Sequence, residues 1–215
     1  MALQYVKSCK TTENQILLFF YLILLQYIVM DFESDIIRFL QSNATNGWTT
    51  FFQIVTLFGS FLGLFVSFFI IFSKNKKLAV VLIFTFAVAS VLNHVLKALI
   101  GRPRPFDTYK DIVNLGNEDG FSMPSGHSLC VGIYVGFLIY FLFQNIKDLP
   151  SRILGSVALG LIGVLVAFSR MVLGAHYLTD VVAGFFLGIM FAIVGIIVYN
   201  VVIKIKAKKI HNERI

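Results

Sequence analysis

The sequence predicts an all-α integral membrane protein with six transmembrane helices. Hydrophobic residues make up 58% of the 215 residues, charged residues make up only 13%, and the mean hydropathy is +0.84. A soluble core of this length cannot bury so much apolar surface. The apolar residues are also concentrated in long runs that short polar segments separate. That pattern is typical of a chain that crosses a bilayer several times.

Six apolar runs each predict one spanning helix, which needs about 17–25 residues. The runs cover residues 16–30, 51–72, 78–100, 128–143, 153–169 and 181–203. The first, fourth and fifth runs are short, so we expect these helices to extend into the flanking residues. A cleaved signal peptide is the alternative for the first run, because Lys7 and Lys10 precede it. No small-residue cleavage site follows Met30, which favours a helix.

The basic residues predict the orientation of the helices, because short loops rich in Lys and Arg stay in the cytoplasm. Six helices place both termini and residues 73–77 and 144–152 on one side, which carries 12 of the 18 basic residues. We therefore predict cytoplasmic termini, with residues 31–50, 101–127 and 170–180 on the extracytoplasmic side. The net charge of +7 follows from this excess. It indicates contact with anionic lipid headgroups and not with nucleic acid.

The whole chain, residues 1–215, is predicted to form one domain, since no internal repeat or low-complexity linker divides it. Cys9 and Cys130 have no CxxC or metal-ligand spacing, so both are expected to be free thiols. Residues 31–46 mix polar and apolar side chains at helical spacing and predict a short helix in the outer interface. The sequence does not indicate an oligomeric state.

Three polar clusters lie on the predicted extracytoplasmic side, at the ends of helices 3 to 6. The clusters are Lys97 with the GRPRP stretch, Ser125-Gly126-His127, and Ser169-Arg170 with His176 and Asp180. A phosphoryl group in transfer spreads negative charge over three oxygens, so positioning and fixed positive charge catalyse its transfer. Lys97, Arg104 and Arg170 can supply that charge. The three clusters together predict a phosphoryl-transfer site.

The PSGH stretch, residues 124–127, has the features of an anion-binding helix start. Ser125 suits the N-cap position of the fourth helix, and Gly126 allows a ligand to approach the backbone. The first N–H groups of that helix then point at the ligand, and the helix dipole favours negative charge there. Taken alone, a Ser-Gly pair is more often only a helix start, and Lys97 and Arg170 would be interface residues. Only the combination predicts a site.

Two histidines allow a division of roles, in which a neutral imidazole attacks phosphorus and a protonated one donates to the leaving oxygen. Asp180 lies four residues after His176, so both share one helical face if the helix begins there. The carboxylate can then hold the proton on one ring nitrogen of His176 and leave the other free to attack. This pairing favours His176 as nucleophile and His127 as acid, and it predicts a bell-shaped pH profile.

These residues resemble the three-part signature of the type-2 phosphatidic acid phosphatase superfamily. The matching motifs are Lys97-x6-Arg104-Pro105, Pro124-Ser125-Gly126-His127 and Ser169-Arg170-x5-His176-x3-Asp180. Members of this family are integral membrane lipid phosphatases with six helices. The signature covers residues 97–180, and the six apolar runs extend the likeness to most of the chain. Met123 and Leu178 stand where close relatives often carry an aromatic residue and a proline, which bears on loop shape more than on activity.

The resemblance implies a role for each motif residue. His176 forms a phosphohistidine, Asp180 orients it, and His127 protonates the leaving group. The phosphoryl oxygens are held by Lys97, Arg104, Ser125, Gly126 and Arg170. Only Arg104 has the family's spacing from the lysine, so Arg102 is expected to be at best a secondary contact. The family needs no metal ion or other cofactor, and no carboxylate cluster in this sequence suggests one.

Several polar or small residues near the motifs carry other expectations. Asn93 and His94, one turn before Lys97, are expected to form a buried hydrogen-bonded pair. Residues of the 106–120 loop, including Glu118, border the expected entrance but receive no role. Gly184 and Gly188 on the last helix predict close helix packing.

The expected function is hydrolysis of a lipid phosphate or diphosphate in a cell membrane, with the bilayer and that lipid as partners. Undecaprenyl diphosphate suits the short, bacterial-looking chain and the outward-facing site. Phosphatidylglycerophosphate or phosphatidate is the alternative substrate. A lipid phosphotransferase would use the same site. A transporter with a phosphate-binding vestibule would need charged or broken helices near the bilayer midplane, whereas these charges gather at helix ends.

Overall fold

The computed structural model describes residues 15, 17, 18, 21, 24 and 28–212. Among these residues every regular element is a helix. Helix α1 comprises residues 28–42, and the five residues described before it are helical as well. The other helices are α2 Asn46–Leu57, α3 Phe61–Phe72, α4 Lys76–Ile100, α5 Pro105–Thr108, α6 Gly126–Asn145, α7 Leu149–Val172 and α8 Leu178–Asn212.

Four helical segments in the described part of the chain are long and apolar enough to cross a membrane. They are Lys76–Thr108, Gly126–Asn145, Leu149–Val172 and Leu178–Lys209. Helices α2 and α3 pass the same test together and form a fifth candidate span that is bent by 45°. The third to sixth apolar runs each match one of the four segments. The short fourth and fifth runs extend at both ends, as predicted, to give α6 and α7.

The first predicted run, residues 16–30, falls largely outside the described residues. Those of its residues that are described are helical. Helix α1 is continuous from residue 28 to residue 42, so the helix predicted within residues 31–46 is present, but it begins before Met30 and ends at residue 42. Packing explains the continuity, because Met30, Glu33 and Ile37 lie at helical spacing and are buried together. This face of α1 packs against the end of α7 and the start of α8.

The second predicted run, residues 51–72, is two helices and not one. The chain turns at residues 58–60, between α2 and α3. Gly59 lies so close to its neighbours that a Cβ there would overlap the Val166 side chain and come within 3.2 Å of the His127 Cβ. Only a residue without a side chain permits this approach, and a Gly-Ser pair is a common place for a helix to bend. The turn therefore lies beside the start of α6.

Helix α6 is the central helix, and hydrophobic side chains around it form the main core. Gly184 and Gly188 of α8 pack against it, as their spacing predicts, because a Cβ at either position would overlap a backbone oxygen of Ser125 or Leu129. The Ser125 amide also donates a 3.0 Å hydrogen bond to the carbonyl of Asp180. The glycines thus allow backbone contact between α8 and the start of α6, which fixes two of the three polar clusters relative to each other.

The segment between α4 and α6 folds over the ends of the bundle. Helix α4 ends at Gly101, whose φ of 61° is a left-handed conformation that favours glycine. The chain then doubles back, and the Ser122 amide donates a 2.8 Å hydrogen bond to the carbonyl of Arg102. Further along, the Leu115 amide donates to the carbonyl of Leu173 at 3.1 Å. These backbone bonds hold the segment against the end of α7.

Candidate active site

The three polar clusters meet at the end of the bundle where α4 and α7 finish and α6 and α8 begin. They surround a cavity of about 420 Å³. Its lining includes Lys97, Arg104, Glu118, Gly126, His127 and His176. Residues that are far apart in the sequence therefore share one cavity. This is the arrangement that a phosphoryl-transfer site requires.

His176 lies in the short connection between α7 and α8 and is almost completely buried. Its Nδ1 atom lies 3.6 Å from Asp180 Oδ2 and 3.5 Å from Ser122 Oγ. Its Nε2 atom lies 3.4 Å from Arg104 Nη1 and belongs to the ring edge on the cation side of the cavity. With the proton on Nδ1, Nε2 carries the free lone pair. The ring is thus oriented for attack through Nε2.

Burial sets the protonation of His176. Burial lowers its pKa to about 4, and the positive charges of Arg170 and Arg104 act in the same direction, while Asp180 opposes them. The imidazole is therefore neutral at neutral pH. A neutral ring is the form that can act as a nucleophile.

Asp180 is fully buried, and both of its oxygens have partners. Oδ1 accepts a 2.5 Å hydrogen bond from Arg102 Nη1. Oδ2 accepts hydrogen bonds from the Ser122 hydroxyl and, at 2.9 Å, from the Tyr177 amide, in addition to facing the ring of His176. The carboxylate therefore has one position, and its second oxygen is directed at His176.

Arg102, which the sequence made at best a secondary contact, does not line the cavity. Its side chain is buried, and it donates hydrogen bonds to Asp180, to Thr179 Oγ1 at 2.6 Å and to Glu33 Oε2 at 2.7 Å. The guanidinium also lies over the Tyr177 ring, 4.1 Å from its centroid. Of the two arginines in the GRPRP stretch, only Arg104 therefore lines the cavity.

Arg104 and Arg170 are buried cations that backbone carbonyls and side-chain oxygens hold in place. Arg104 donates to the carbonyl oxygens of Ala175, Asp119 and Gly120 at 2.9–3.0 Å. Arg170 donates to the hydroxyl oxygen of Thr56, a residue of α2, at 2.7 Å. Each guanidinium is therefore fixed before any ligand binds. A preorganised positive charge stabilises a transferring phosphoryl group without further rearrangement.

Lys97 extends from the last turn of α4 towards the segment that precedes α6. Its ammonium donates to the carbonyl oxygens of Phe121 at 2.5 Å and Ser122 at 3.2 Å. An ammonium has three donors, so one remains for a ligand. Lys97 is thus placed beside the cavity, but it contacts neither histidine.

The start of α6 presents backbone donors to the cavity. Ser125 is the N-cap, as predicted, and its hydroxyl accepts from the Ser128 amide at 3.4 Å and from the Ser128 hydroxyl at 3.1 Å. Ser125 also donates its amide to Asp180, so its polar groups serve the fold. The amides of Gly126 and His127 belong to the first turn, which has no intrahelical partner for them. They are the groups at this helix start that can bind an anion.

Glu118 is a cavity residue whose position the sequence did not indicate. One carboxylate oxygen pairs with Arg170 and lies 3.9 Å from His127 Nδ1, and the other lies 3.3 Å from Arg104 Nη2. Burial opposes ionisation, but Arg170, His127 and Arg104 together keep the pKa of Glu118 below its ordinary value. The carboxylate is therefore charged and lies among the groups expected to hold phosphate.

Asn93 and His94 do not form the expected hydrogen-bonded pair. Asn93 is buried and its Oδ1 has no partner within the described part of the structure. His94 Nδ1 lies 2.8 Å from the carbonyl of Ser90, one turn earlier in α4. Both side chains line the cavity instead. Because they are adjacent in a helix, their side chains point in different directions, which the pair prediction did not take into account.

The acidic, histidine and cysteine side chains of the described residues are of the types that hold metal ions in proteins. No group of three or more His, Cys, Asp or Glu side chains within the described residues could hold a metal ion. The site that the structure assembles consists of histidines, cations and backbone amides, together with the Glu118 and Asp180 carboxylates.

Two curated proteins resemble the chain over about half of its length. It is 37% identical over 110 residues to phosphatidylglycerophosphatase B of Bacillus subtilis (strain 168), which is 51% of this chain and 52% of that protein. It is 32% identical over 120 residues to an undecaprenyl-diphosphatase of Sulfolobus acidocaldarius, which is 55% of this chain and 54% of that protein. The chain thus spans about half the length of the curated relatives that it matches.

The fold is also similar to that of a solved membrane protein. The crystal structure of a transmembrane PAP2-type phosphatidylglycerolphosphate phosphatase from Bacillus subtilis superposes with a TM-score of 0.69 and 29% sequence identity. The match covers 82% of this chain and 90% of that one. The sequence pattern of the type-2 phosphatidic acid phosphatase superfamily, or PAP2 superfamily, matches residues 78–204. This range is more than half of the chain and includes all of the motif residues. The resemblance carried by the three motifs is therefore confirmed, and the chain belongs to the PAP2 superfamily.

Proposed function

We propose that this protein hydrolyses a lipid phosphate or diphosphate through a phosphohistidine at His176. The observation that carries the proposal is the position of the His176 ring. One nitrogen faces the Asp180 carboxylate, and the other faces a cavity bordered by Arg104, Lys97 and His127. Membership of the PAP2 superfamily supports the same chemistry.

In the first step, Nε2 of His176 attacks phosphorus, a P–N bond forms and the bond to the leaving oxygen breaks. His127 donates a proton to that oxygen as it leaves. Arg104, Arg170 and Lys97 bind the phosphoryl oxygens together with the amides at the start of α6. Negative charge that develops on these oxygens is stabilised by donors that are already in place.

In the second step, water attacks the phosphohistidine, the P–N bond breaks, and inorganic phosphate leaves. His127 accepts the proton of this water, so it returns to the protonated form that the first step needs. Asp180 holds the Nδ1 proton of His176 throughout and stabilises the positive charge that the ring acquires when Nε2 is phosphorylated. The cycle thus uses the two histidines, Asp180, the three cations and the amides at the start of α6.

Apolar cavities beside the site support a lipid substrate. The polar cavity shares Asn93, His94, Gly126 and His127 with a neighbouring cavity of about 280 Å³. That cavity shares Phe61 and Phe86 with a groove of about 430 Å³ between α3 and α4, whose other lining residues are Leu64, Phe65, Phe68, Ile83 and Ala87. With its headgroup phosphate at His176, a lipid could therefore extend its apolar chain through the neighbouring cavity into the groove between α3 and α4.

We propose undecaprenyl diphosphate as the substrate, with phosphatidylglycerophosphate next. A relative named undecaprenyl-diphosphatase supports the first, and the relative and the solved structure named for phosphatidylglycerophosphate support the second. The groove lined by Phe61, Phe65, Phe68 and Phe86 suits a long unsaturated chain.

We also propose six spans with the site on the extracytoplasmic side. The first apolar run, residues 16–30, is the first span, and the bent pair α2 and α3 is the second. Helices α4, α6, α7 and α8 are the remaining four. The excess of basic residues near the opposite ends of these helices supports cytoplasmic termini.

Phosphate release from purified protein in detergent tests the proposal. Undecaprenyl diphosphate, phosphatidylglycerophosphate and phosphatidate are supplied separately, and kcat/KM is compared. We expect the highest value for undecaprenyl diphosphate, and no release from any of them by His176→Asn. A matched control is His211→Asn, near the end of α8 and far from the cavity, which should retain wild-type activity. Full activity of His176→Asn would refute the mechanism.

A further inference from the structure

We propose that Glu33 and Arg102 are positioning residues for the chemical step, which they influence through Asp180. The inference rests on the proposed function. Neither residue touches the cavity, and neither belongs to the three motifs as the sequence defines them. Both are buried next to the carboxylate that faces the nucleophile.

The contacts form a continuous chain of charged groups from α1 to the nucleophile. Glu33 Oε2 accepts from Arg102 Nη2 at 2.7 Å, and Arg102 Nη1 donates to Asp180 Oδ1 at 2.5 Å. The other oxygen of Asp180 faces His176 Nδ1. Glu33 Oε1 also accepts the amide of Thr179 at 2.6 Å, in the first turn of α8. Glu33 thus holds both Arg102 and the start of the helix that carries Asp180.

This cluster is costly for the fold, which argues that it serves more than packing. Glu33 is only 2% exposed, Arg102 8% and Asp180 0%. Taking charges out of water costs several kcal/mol per ion, and well-packed hydrophobic side chains in their place are often as stable. The one positive charge of Arg102 also neutralises only one of the two negative charges of Glu33 and Asp180. Asp180 contacts the nucleophile directly, so the remaining negative charge can stabilise the His176 ring when that ring becomes positive.

The net charge of the cluster matches that change. Asp180 and Arg102 alone would sum to zero, so Arg102 would cancel the negative charge that Asp180 offers to His176. Glu33 restores a net charge of −1 behind the ring. When Nε2 attacks phosphorus, the imidazole becomes positive, and a negative charge in a dry environment stabilises it. Glu33 therefore favours the phosphorylated ring over the neutral ring, and Arg102 keeps Asp180 in one orientation.

Glu33→Gln tests this directly, because it removes the charge and keeps the shape. We expect kcat to fall about tenfold, the lower end of the range for removing a group that orients a metal ligand. The substrate is the lipid phosphate that the wild type hydrolyses best, and the whole chain is used. KM should stay the same. Orthovanadate becomes five-coordinate when it bonds to a nucleophile and then resembles the transferring phosphoryl group, so it should bind about tenfold more weakly, whereas inorganic phosphate should bind as it does to wild type.

Two further variants separate positioning from folding. Arg38→Gln is the matched control, since Arg38 lies on the same helix and forms exposed ion pairs with Asp35 and Asp111. It should change neither kcat nor vanadate binding. The double variant Glu33→Met with Arg102→Met keeps a net charge of −1 on Asp180 but removes the Arg102 contact that holds Asp180 in one orientation. A fall in kcat of this folded variant would therefore report the loss of orientation and not the loss of charge.

The outcomes distinguish this inference from the proposed function. Unchanged kcat in a folded Glu33→Gln or double-Met protein, beside an active wild type, would overturn the inference and leave the proposed function intact. A rise in KM at constant kcat would overturn it as well, because it would place Glu33 in ground-state binding. A wild type that neither releases phosphate nor binds vanadate would refute the proposed function, and the inference with it.

Discussion

Glu118 and Arg170 form an ion pair at the point where the candidate phosphate ligands converge. The same carboxylate lies 3.3 Å from Arg104 and 3.9 Å from His127. A carboxylate and a phosphoryl group present similar oxygens to a guanidinium, so both compete for the same donors. Glu118 therefore occupies donors that a bound phosphoryl group would need.

Replacing Glu118 with Gln should strengthen anion binding. The amide keeps the shape of the side chain but no longer neutralises Arg170 and Arg104, so we expect inorganic phosphate to inhibit the variant about tenfold more strongly, equivalent to ~1.4 kcal/mol. The measurement is the inhibition constant for phosphate. Asp111→Asn is the control, because its side chain is exposed and does not line the cavity. Weaker inhibition of Glu118→Gln would instead assign Glu118 to substrate binding.

The pH dependence of stability should reveal the burial of His176. Its pKa is about 4 in the folded protein and 6.5 as an unperturbed group. The unfolded chain therefore binds more protons between these values, and the folded state loses stability as pH falls from 6.5 towards 4. Melting temperatures over this range should fall less steeply for His176→Asn than for wild type. Parallel curves for the two proteins would show that His176 is not buried as a neutral ring.

The activity profile should reflect the same ionisation. Protonation of His176 removes the nucleophilic lone pair, so we expect the acidic limb of kcat/KM near pH 4 and not near 6.5. His127 must be protonated to donate to the leaving oxygen, which gives the basic limb and a bell-shaped profile. Measurement with a substrate that keeps one ionisation state across the range isolates the enzyme groups. A profile without a basic limb would remove His127 from the acid role.

The packing of α8 on α6 should be sensitive to a single methyl group. A Cβ on Gly184 would overlap the carbonyl of Ser125, so Gly184→Ala must move α8 away from the start of α6. We expect destabilisation of about 1–3 kcal/mol, typical of overpacking, and lower kcat because Asp180 moves with α8. Gly160→Ala is the matched control, since nothing lies within 4 Å of a Cβ there. Thermal unfolding in detergent compares them, and equal stability of the two variants would contradict the observed packing.

Local patterns in the sequence account for much of the fold. The N-cap at Ser125 and the helices around the later apolar runs depend on residues near each other in the chain, so periodicity and capping rules predict them. The spacing of Gly184 and Gly188 is also local, and it predicts the face of α8 that packs closely, although its partner Ser125 is distant in the chain. The bend at residues 58–60 was not predicted, because its cause is the approach of Gly59 to α7, more than a hundred residues further along the chain.

The same limit applies to the candidate site. The motif residues could be grouped because each is of a type that phosphoryl transfer needs. Glu33 and Glu118 could not, because isolated carboxylates in polar segments carry no periodic or motif signal. Their partners are distant, since Glu33 pairs with Arg102 across 69 positions and Glu118 with Arg170 across 52. Only the folded chain relates them to His176.

The orientation of the site can be tested with introduced cysteines. Val113 is exposed in the segment between α5 and α6, on the proposed extracytoplasmic side, and Lys147 is exposed between α6 and α7, on the opposite side. In a background without Cys9 and Cys130, we expect a membrane-impermeant maleimide to label Val113→Cys in intact cells. Lys147→Cys, the matched control, should react only after permeabilisation. Both residues lie outside the candidate spans, so each thiol is accessible from one aqueous phase. The reverse pattern would place the candidate active site in the cytoplasm, where it could not act on a lipid diphosphate in the outer leaflet.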